Sequence, residues 1–250
     1  GFQHLQERRS GGARERLREL RERMVKVAII TTSWEDLGGT GKKTGLWYEE
    51  LAAPFFYFTD KGYDVVVASI KGGNPPIDAG SLSGDFVKPE CCQKALKDEA
   101  FNAALKSTIP VADLKSSELD AVYLVGGHGC CWDFVGTAAL NDLVSSVASE
   151  TSKVVGATCH GVFGLFEATS SGGEPLVKGK KVTGFSNTEE AAVQLTDAVP
   201  YTPEDKLREL GGVYEKGGDW GPFAVVDGRL VTGQNPASST LVAEKMAELF

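Results

Sequence analysis

The chain has 250 residues, of which 42% are hydrophobic and 24% are charged, a composition typical of a soluble globular protein with a sizeable core. Its net charge of −8 argues against nucleic acid or an anionic membrane as the main partner. Because no apolar run approaches the roughly 20 residues that cross a bilayer, we also expect no membrane-spanning segment.

Residues 1–23 differ in composition from the rest of the chain. They contain seven Arg and four Glu, and Leu17, Leu20 and Met24 recur at helical spacing. The four Glu argue against an organellar transit peptide, because such peptides are poor in acidic residues. We therefore predict an atypical charged extension, helical or disordered, followed by a single domain over residues 24–250.

From Met24 onward, predicted strands alternate with predicted helices. Apolar runs rich in β-branched residues predict strands at residues 25–32, 64–70, 121–126 and 154–158. Helical patterns occupy residues 46–61, 89–106, 138–150, 202–210 and 238–249. Asp227-Gly228 joins two further strands, residues 223–226 and 229–232, in a predicted hairpin. This alternation predicts an α/β fold with a mostly parallel sheet that helices cover on both faces.

Three candidate turns follow strands of this sheet, at residues 32–44, 126–132 and 158–161. Ligands of such sheets bind in the crevice at the carboxyl ends of the strands. We therefore expect the three turns to gather at one edge of the sheet and to form the functional site there.

The segment VVGATCHG, residues 154–161, places Cys159 on a turn of small residues at the end of an apolar strand. With the helical pattern of residues 162–168 behind it, this is the arrangement of a nucleophile elbow, with Cys in place of Ser. Free backbone N–H groups and the helix dipole would favour the thiolate. A buried core cysteine is an equally good interpretation of this segment alone.

Two neighbouring groups could complete a site around this cysteine. His160 offers a backbone N–H for an oxyanion and an imidazole for acid–base work, although side chains of adjacent residues on a tight turn tend to diverge. Glu49 and Glu50 lie about 100° apart on the helix that follows Thr44-Gly45, so one can face the sheet. An inward carboxyl would have a raised pKa and could shuttle protons, while two solvated glutamates remain the alternative.

The cysteines and histidines restrict the chemistry further. Five cysteines, as two adjacent pairs and Cys159, fit neither a disulfide framework nor zinc-site spacing, so we expect a reducing, cytoplasmic setting. The histidines are His4, His128 and His160. Since none follows His160, an amidotransferase arrangement, with its base downstream of the nucleophile, is not available.

Four short motifs, in this order along the chain, together resemble the ThiJ/PfpI superfamily, whose fold is of the class I glutamine amidotransferase type. They are Thr44-Gly45 with Glu50, Gly127-His128-Gly129, Cys159-His160-Gly161, and GRLVTGQNPAS at residues 228–238. Within the superfamily, the match is closest to the heat-shock-type branch of glutathione-independent glyoxalases (glyoxalase III) and chaperones, and it covers residues 24–250.

This resemblance implies a flavodoxin-like three-layer sandwich, usually dimeric, with Cys159 as the nucleophile. The family's catalytic histidine and acid correspond to His160 and Glu50. A further acid, which orients the histidine, corresponds to Glu190, and its neighbour Glu189 is one residue away from that placement. The resemblance implies no organic cofactor and no metal. With His4 in the atypical N-terminal segment, too few histidines remain to build a metal site.

The oxyanion and substrate-binding groups of the family correspond to Gly127 and His128, with the backbone N–H of His160. The implied reaction adds the Cys159 thiolate to the aldehyde of methylglyoxal, or of a related 2-oxoaldehyde. Glu50 and His160 then move a proton between the two carbons through an enediol, and hydrolysis of the thioester releases lactate. The implied enzyme is a glyoxalase III type lyase, that is, a D-lactate dehydratase.

Other functions remain open at this point. A non-enzymatic holdase chaperone would bind unfolded client proteins on an apolar patch. A cysteine-based oxidative sensor would use the same thiol, and a cysteine protease is a weaker alternative. Cys130 and Cys131 are either small fillers, which we favour, or oxidation-prone partners.

Overall fold

A central seven-stranded sheet organises the computed structural model, which describes residues 24–250. Its strands lie in the order β3-β2-β1-β4-β5-β9-β8, and every neighbouring pair is parallel except β8–β9. Two short parallel strands, β6 and β7, form a second sheet. The bounds are β1 (Lys26–Thr31), β2 (Asp64–Ser69), β3 (Ile109–Pro110), β4 (Ala121–Leu124), β5 (Val154–Thr158), β6 (Lys181–Val182), β7 (Val213–Tyr214), β8 (Ala224–Asp227) and β9 (Leu230–Gly233).

Helices cover both faces of the sheet and give three layers. The α-helices of the described chain are α1 (Tyr48–Asp60), α2 (Glu90–Ala95), α3 (Glu99–Lys106), α4 (Cys130–Asp133), α5 (Ala138–Ser149), α6 (Asn187–Ala192), α7 (Pro203–Glu209) and α8 (Ser239–Ala247). Apolar side chains of α1, α2, α3 and α8 belong to one core, and those of α4, α5 and α7 belong to another. The predicted α/β sandwich with a mostly parallel sheet is confirmed.

Strand β1 contains a continuous apolar run because both of its faces are buried. Val27 and Ile29 point into the core with α1, while Ala28 and Ile30 point into the core with α5. Because side chains alternate along a strand, a strand buried on both faces has no polar position to interrupt the run.

Several predicted helices differ from the observed ones. The pattern at residues 89–106 forms two helices, because Asp98 accepts a hydrogen bond from the Phe101 N–H at 2.7 Å and caps α3 as a new start. The predicted helix at residues 162–168 is instead a 3-10 helix, Cys159–Leu165, that begins at the cysteine itself. The hairpin around Asp227-Gly228 is present as β8–β9.

No helix within residues 24–250 is long and apolar enough to cross a membrane. The predicted charged extension, residues 1–23, lies outside the described residues, as does His4. The prediction of one domain over residues 24–250 therefore stays a prediction for the chain as a whole.

Candidate active site

The three turns gather at the carboxyl edge of the parallel strands. The Thr32 hydroxyl donates to Asp133 Oδ1 at 2.7 Å, which ties the turn after β1 to the turn after β4. The Gly129 N–H donates to the Gly45 carbonyl at 3.3 Å. The third turn, at Cys159, follows β5, the sheet neighbour of β4. The edge predicted for the site is thus assembled from segments far apart in the chain.

Cys159 sits at a strained point of the backbone. Its φ is +57°, a left-handed conformation that costs an L-residue about 1–2 kcal/mol. Its side chain is buried, with 4% of the residue exposed, and it lines a cavity. Directly behind it, a Cβ on Gly161 would collide with the Leu124 carbonyl, so only glycine fits there. Such strain is characteristic of functional turns.

His160 contacts both the cysteine and an acid. Its Nδ1 lies 3.3 Å from the Cys159 sulfur, and its Nε2 lies 2.8 Å from Glu190 Oε2. With the Nε2 proton donated to the carboxylate, Nδ1 keeps a lone pair that faces the thiol. The expectation that these adjacent side chains diverge is therefore wrong, because the left-handed φ of Cys159 turns them toward each other.

Glu190 bridges two imidazoles. Its Oε1 lies 2.8 Å from His128 Nε2, and the rings of His128 and His160 are 4.1 Å apart. Although burial opposes it, contact with the two histidines holds the pKa of Glu190 well below its usual range. Burial, and then the neighbouring His128, lower the pKa of His160. At neutral pH the centre is thus a carboxylate beside a neutral base.

Glu50 is the inward member of the Glu49-Glu50 pair. It lies in the first turn of α1, is fully buried, and its Oε2 accepts the Gly126 N–H at 2.9 Å. Its other oxygen, Oε1, has no hydrogen-bond partner of standard geometry, although the carboxyl interacts with the Cys159 thiol. Burial raises the pKa of Glu50 well above its usual value and so favours the protonated form of this carboxyl.

The thiol of Cys159 is not the stabilised thiolate expected from the elbow. Burial raises the pKa of the Cys159 thiol well above the usual value, against the lowering effect of the His160 N–H, and a negative charge on Glu50 would raise it further. The expected helix dipole is also weak, because a seven-residue 3-10 helix replaces the α-helix. A nucleophilic attack by Cys159 would therefore require loss of the thiol proton, and His160 Nδ1 lies 3.3 Å from the sulfur.

The Gly126-Gly127 turn is built for close approach. A Cβ on Gly126 would meet Glu50 Oε2 at 2.5 Å, and Gly127, with φ of +109°, would carry a Cβ into the Gly45 carbonyl. Among the described residues, the N–H groups of Gly127 and His128 have no protein acceptor, and both residues line the cavity that contains Cys159. The His128 imidazole also forms a hydrogen bond with Glu190, a contact that was not predicted from the sequence.

The cavity above Cys159 has a volume of about 200 Å³. Its floor holds the polar groups just described, whereas its walls are aromatic, a feature that the sequence analysis did not anticipate. No periodicity marks these wall residues, because they come from four separate loops or helix starts. The aromatic wall consists of Trp47, Phe86, Phe185 and Trp220.

Glu189, the alternative acid, points elsewhere. Its Oε2 accepts the Ser186 N–H at 3.0 Å, and its Oε1 accepts the Trp220 N–H at 2.8 Å and Asn235 Nδ2 at 2.9 Å. The structure therefore places Glu190, and not Glu189, beside His160.

The remaining cysteines are free thiols. Cys130 and Cys131 are buried, and burial raises the pKa of both thiols well above the usual value. Cys130 donates to the Val125 carbonyl at 3.2 Å. This packing agrees with their interpretation as small fillers.

One group of side chains could bind a metal ion. The ligand atoms of His128, His160 and Glu190 lie within 4.8 Å of one another, so the argument that too few histidines remain for a metal site was wrong. The two nitrogen–oxygen distances of 2.8 Å are those of hydrogen bonds, which satisfy all three side chains without an ion. The absence of a cofactor stays a prediction.

The amino-acid sequence matches the model of the DJ-1/PfpI family over residues 45–249. The chain belongs to the DJ-1/PfpI family. The resemblance to the ThiJ/PfpI superfamily is thereby confirmed.

Within the DJ-1/PfpI family, similar proteins carry glyoxalase names. Glyoxalase 3 of Candida albicans is 36% identical over 238 residues, covering 91% of this chain and 99% of that protein. Glutathione-independent glyoxalase HSP31 of Saccharomyces cerevisiae is 31% identical and covers 86% and 93%. The crystal structure of glyoxalase III from Candida albicans has a TM-score of 0.83 at 34% identity, covering 91% of this chain and 98% of that one.

Proposed function

We propose that this protein is a glutathione-independent glyoxalase, a glyoxalase III type lyase (D-lactate dehydratase) that converts methylglyoxal and related 2-oxoaldehydes to 2-hydroxy acids. One observation carries the proposal. The chain of contacts from Cys159 through His160 to Glu190 opens on the same small cavity as the buried carboxyl of Glu50, whose pKa burial raises. A nucleophile, a base and a proton donor thus face one site, and the glyoxalase relatives support this assignment.

The first step forms a hemithioacetal. The Cys159 sulfur attacks the aldehyde carbon while its proton passes to His160 Nδ1, and the Glu190 carboxylate stabilises the resulting imidazolium. Negative charge develops on the aldehyde oxygen, where the Gly127 N–H can stabilise it. Glu50 donates its proton to that oxygen and becomes a carboxylate.

The second step isomerises the bound substrate. The Glu50 carboxylate removes the hydrogen on the former aldehyde carbon, and the ketone oxygen takes the proton of the His160 imidazolium, which gives an enediol. Glu50 returns its proton to the second carbon while His160 takes the proton of the first hydroxyl. The product is a lactoyl thioester on Cys159, and both proton carriers are again charged.

Hydrolysis then regenerates the protein. Water attacks the thioester and passes a proton to Glu50, while the His160 imidazolium protonates the departing Cys159 sulfur. The product leaves as lactic acid, which ionises to lactate in water, and the thiol, the neutral imidazole and the protonated carboxyl are restored. Glutathione has no role in the sequence, because Cys159 replaces its thiol.

Three further proposals rest on the family resemblance: a homodimer, a cytoplasmic location, and holdase binding of unfolded client proteins. Light scattering of the purified protein tests the first. Suppression of client aggregation by Cys159→Ala at the wild-type level would separate a holdase activity from catalysis.

Lactate formation from methylglyoxal without glutathione tests the proposed enzyme. We expect turnover by the wild type, none by Cys159→Ala, and a loss of at least about 100-fold for Glu50→Gln, which cannot carry a proton to carbon. Glu190→Gln should lower kcat by about 10²–10⁴-fold, since it no longer fixes the His160 tautomer. An inactive wild type, or full turnover by Cys159→Ala, would overturn the proposal.

A further inference from the structure

A short loop carries an aromatic side chain to the mouth of the catalytic cavity. Trp220 has φ of +63° and is 45% exposed, yet its ring lines the cavity. It packs edge-on against Phe185 at 5.8 Å, and Phe185 lies 4.9 Å from the His160 ring. A strained backbone that leaves a tryptophan half in solvent is not explained by packing of the core.

Glu189 holds this loop in place. It is fully buried, and its Oε1 accepts the N–H of Trp220 itself. Asn235 Nδ2 donates both to Glu189 Oε1 and, at 2.8 Å, to the Gly221 carbonyl, so the loop is tied on both sides of the tryptophan. Adjacent glutamates of α6 thus have different partners: Glu190 binds the histidines, and Glu189 binds the wall of the cavity.

A second half-exposed aromatic side chain lines the same cavity. Phe86, 47% exposed, packs edge-on against Trp47 at 5.0 Å. The methyl group of methylglyoxal is too small to cover these rings, which would remain in water with such a substrate bound. An aromatic or long aliphatic substituent would instead bury them, and such contacts favour binding.

We propose that Trp220 is a specificity-determining residue that favours 2-oxoaldehydes with an apolar substituent larger than methyl, and that Glu189 is its positioning residue. The inference rests on the proposed glyoxalase function, because it assigns the part of the substrate that does not react. It predicts that substrate preference, and not the chemistry at Cys159, depends on this loop.

The test compares kcat/KM for phenylglyoxal and methylglyoxal, with Cys159→Ala as the blank for reaction of aldehydes with surface groups. Trp220→Gly removes the ring and tolerates the positive φ. We expect it to lower kcat/KM for phenylglyoxal about tenfold more than kcat/KM for methylglyoxal, mainly through the KM for phenylglyoxal. Val213→Ala, which alters a 51% exposed side chain outside the cavity lining, should change neither.

The positioning role of Glu189 is tested by a double-mutant cycle. In the wild-type background, Glu189→Gln should lower the ratio of kcat/KM for phenylglyoxal to kcat/KM for methylglyoxal. In the Trp220→Gly background it should leave this ratio unchanged, because Glu189 acts by positioning the Trp220 ring. Equal effects in both backgrounds would overturn this role. An unchanged ratio for Trp220→Gly in an active protein would overturn the role of Trp220.

A readout that needs no turnover separates failure of this inference from failure of the proposed function. Mandelate and lactate are the 2-hydroxy acids that correspond to phenylglyoxal and methylglyoxal. By calorimetry, Cys159→Ala should bind mandelate about tenfold more tightly than lactate. This difference in affinity should disappear in the double variant that also carries Trp220→Gly. Equal binding of the two acids to Cys159→Ala contradicts the inference even if the wild type makes lactate. A wild type that converts neither aldehyde overturns the proposed function instead.

Discussion

At the active site, burial shifts the pKa values of three neighbouring side chains, those of Glu50, Cys159 and His160. Burial raises the pKa of Glu50 and that of the Cys159 thiol, and so favours the protonated form of both groups. His160 stays neutral, since burial and His128 lower its pKa. In the proposed reaction, Glu50 would therefore begin as the acid and His160 as the base that takes the proton of the Cys159 thiol.

The raised pKa of Glu50 makes stability depend on pH. Its pKa in the folded protein lies above that of the unfolded chain, so its contribution to stability is fully present below the unfolded value, near 4.5, and is lost as pH rises. Above that pH, burial of the carboxyl in the folded protein costs free energy. Glu50→Gln removes this cost because an amide does not ionise, and it keeps an acceptor for the Gly126 N–H. We expect it to raise Tm at pH 7 by about 2–4 °C, the shift that roughly 1 kcal/mol produces in a domain of this size.

The thermal melts should be run from pH 4 to pH 8 by circular dichroism. The advantage of Glu50→Gln should shrink toward pH 4, where both states of the wild type bind the proton. Glu49→Gln, at the less buried neighbour, is the matched control and should show a smaller effect. A variant that is less stable than the wild type at pH 7 would contradict the protonation assigned to Glu50.

At the scale of elements, apolar runs predicted the strands well, because a strand buried on both faces leaves no other pattern. Helices whose ends depend on side-chain caps were harder to predict from the sequence. Asp98 divides one predicted helix, and α6 was missed although Ser186 and Glu189 form a capping box, a signal that the sequence displays. The 3-10 form of residues 159–165 has no such signal, since it follows from the backbone of Cys159.

The cap of α6 gives a test at this scale. The Ser186 hydroxyl donates to Glu189 Oε2 at 2.8 Å and accepts the Glu189 N–H at 3.3 Å. Ser186→Ala should cost about 1 kcal/mol of stability. Because α6 also carries Glu190, it should lower kcat/KM for methylglyoxal about fivefold by displacing that carboxylate.

Thr202→Ala provides the control for this cap. Thr202 caps α7 through one hydrogen bond, from the Asp205 N–H at 3.3 Å, and does not line the cavity. It should cost similar stability without loss of kcat. If both variants lose stability and neither loses activity, the link between the cap of α6 and catalysis is refuted.

Across the whole molecule, parallel strands bring distant residues to one edge, and this part of the site was predictable. Cys159, His160, Glu50 and Gly127 stand next to strand ends or at a helix start, and the family motifs mark them. The second contact of Glu190 and the aromatic wall were not predictable, because they depend on loop conformations that no periodicity encodes. The family and the kind of enzyme that the motifs indicate agree with the relatives.

In the proposed reaction, the substrate passes through a thioester on Cys159. This step is tested by a single-turnover reaction with protein in excess over methylglyoxal, quenched in acid and followed by intact-protein mass spectrometry. A hemithioacetal reverts on denaturation, whereas a thioester survives in acid. We predict a wild-type adduct with the mass of one methylglyoxal that decays as lactate appears, and no adduct in Cys159→Ala or Glu50→Gln. Lactate formed without this adduct, or an adduct that persists in Cys159→Ala, would contradict the account.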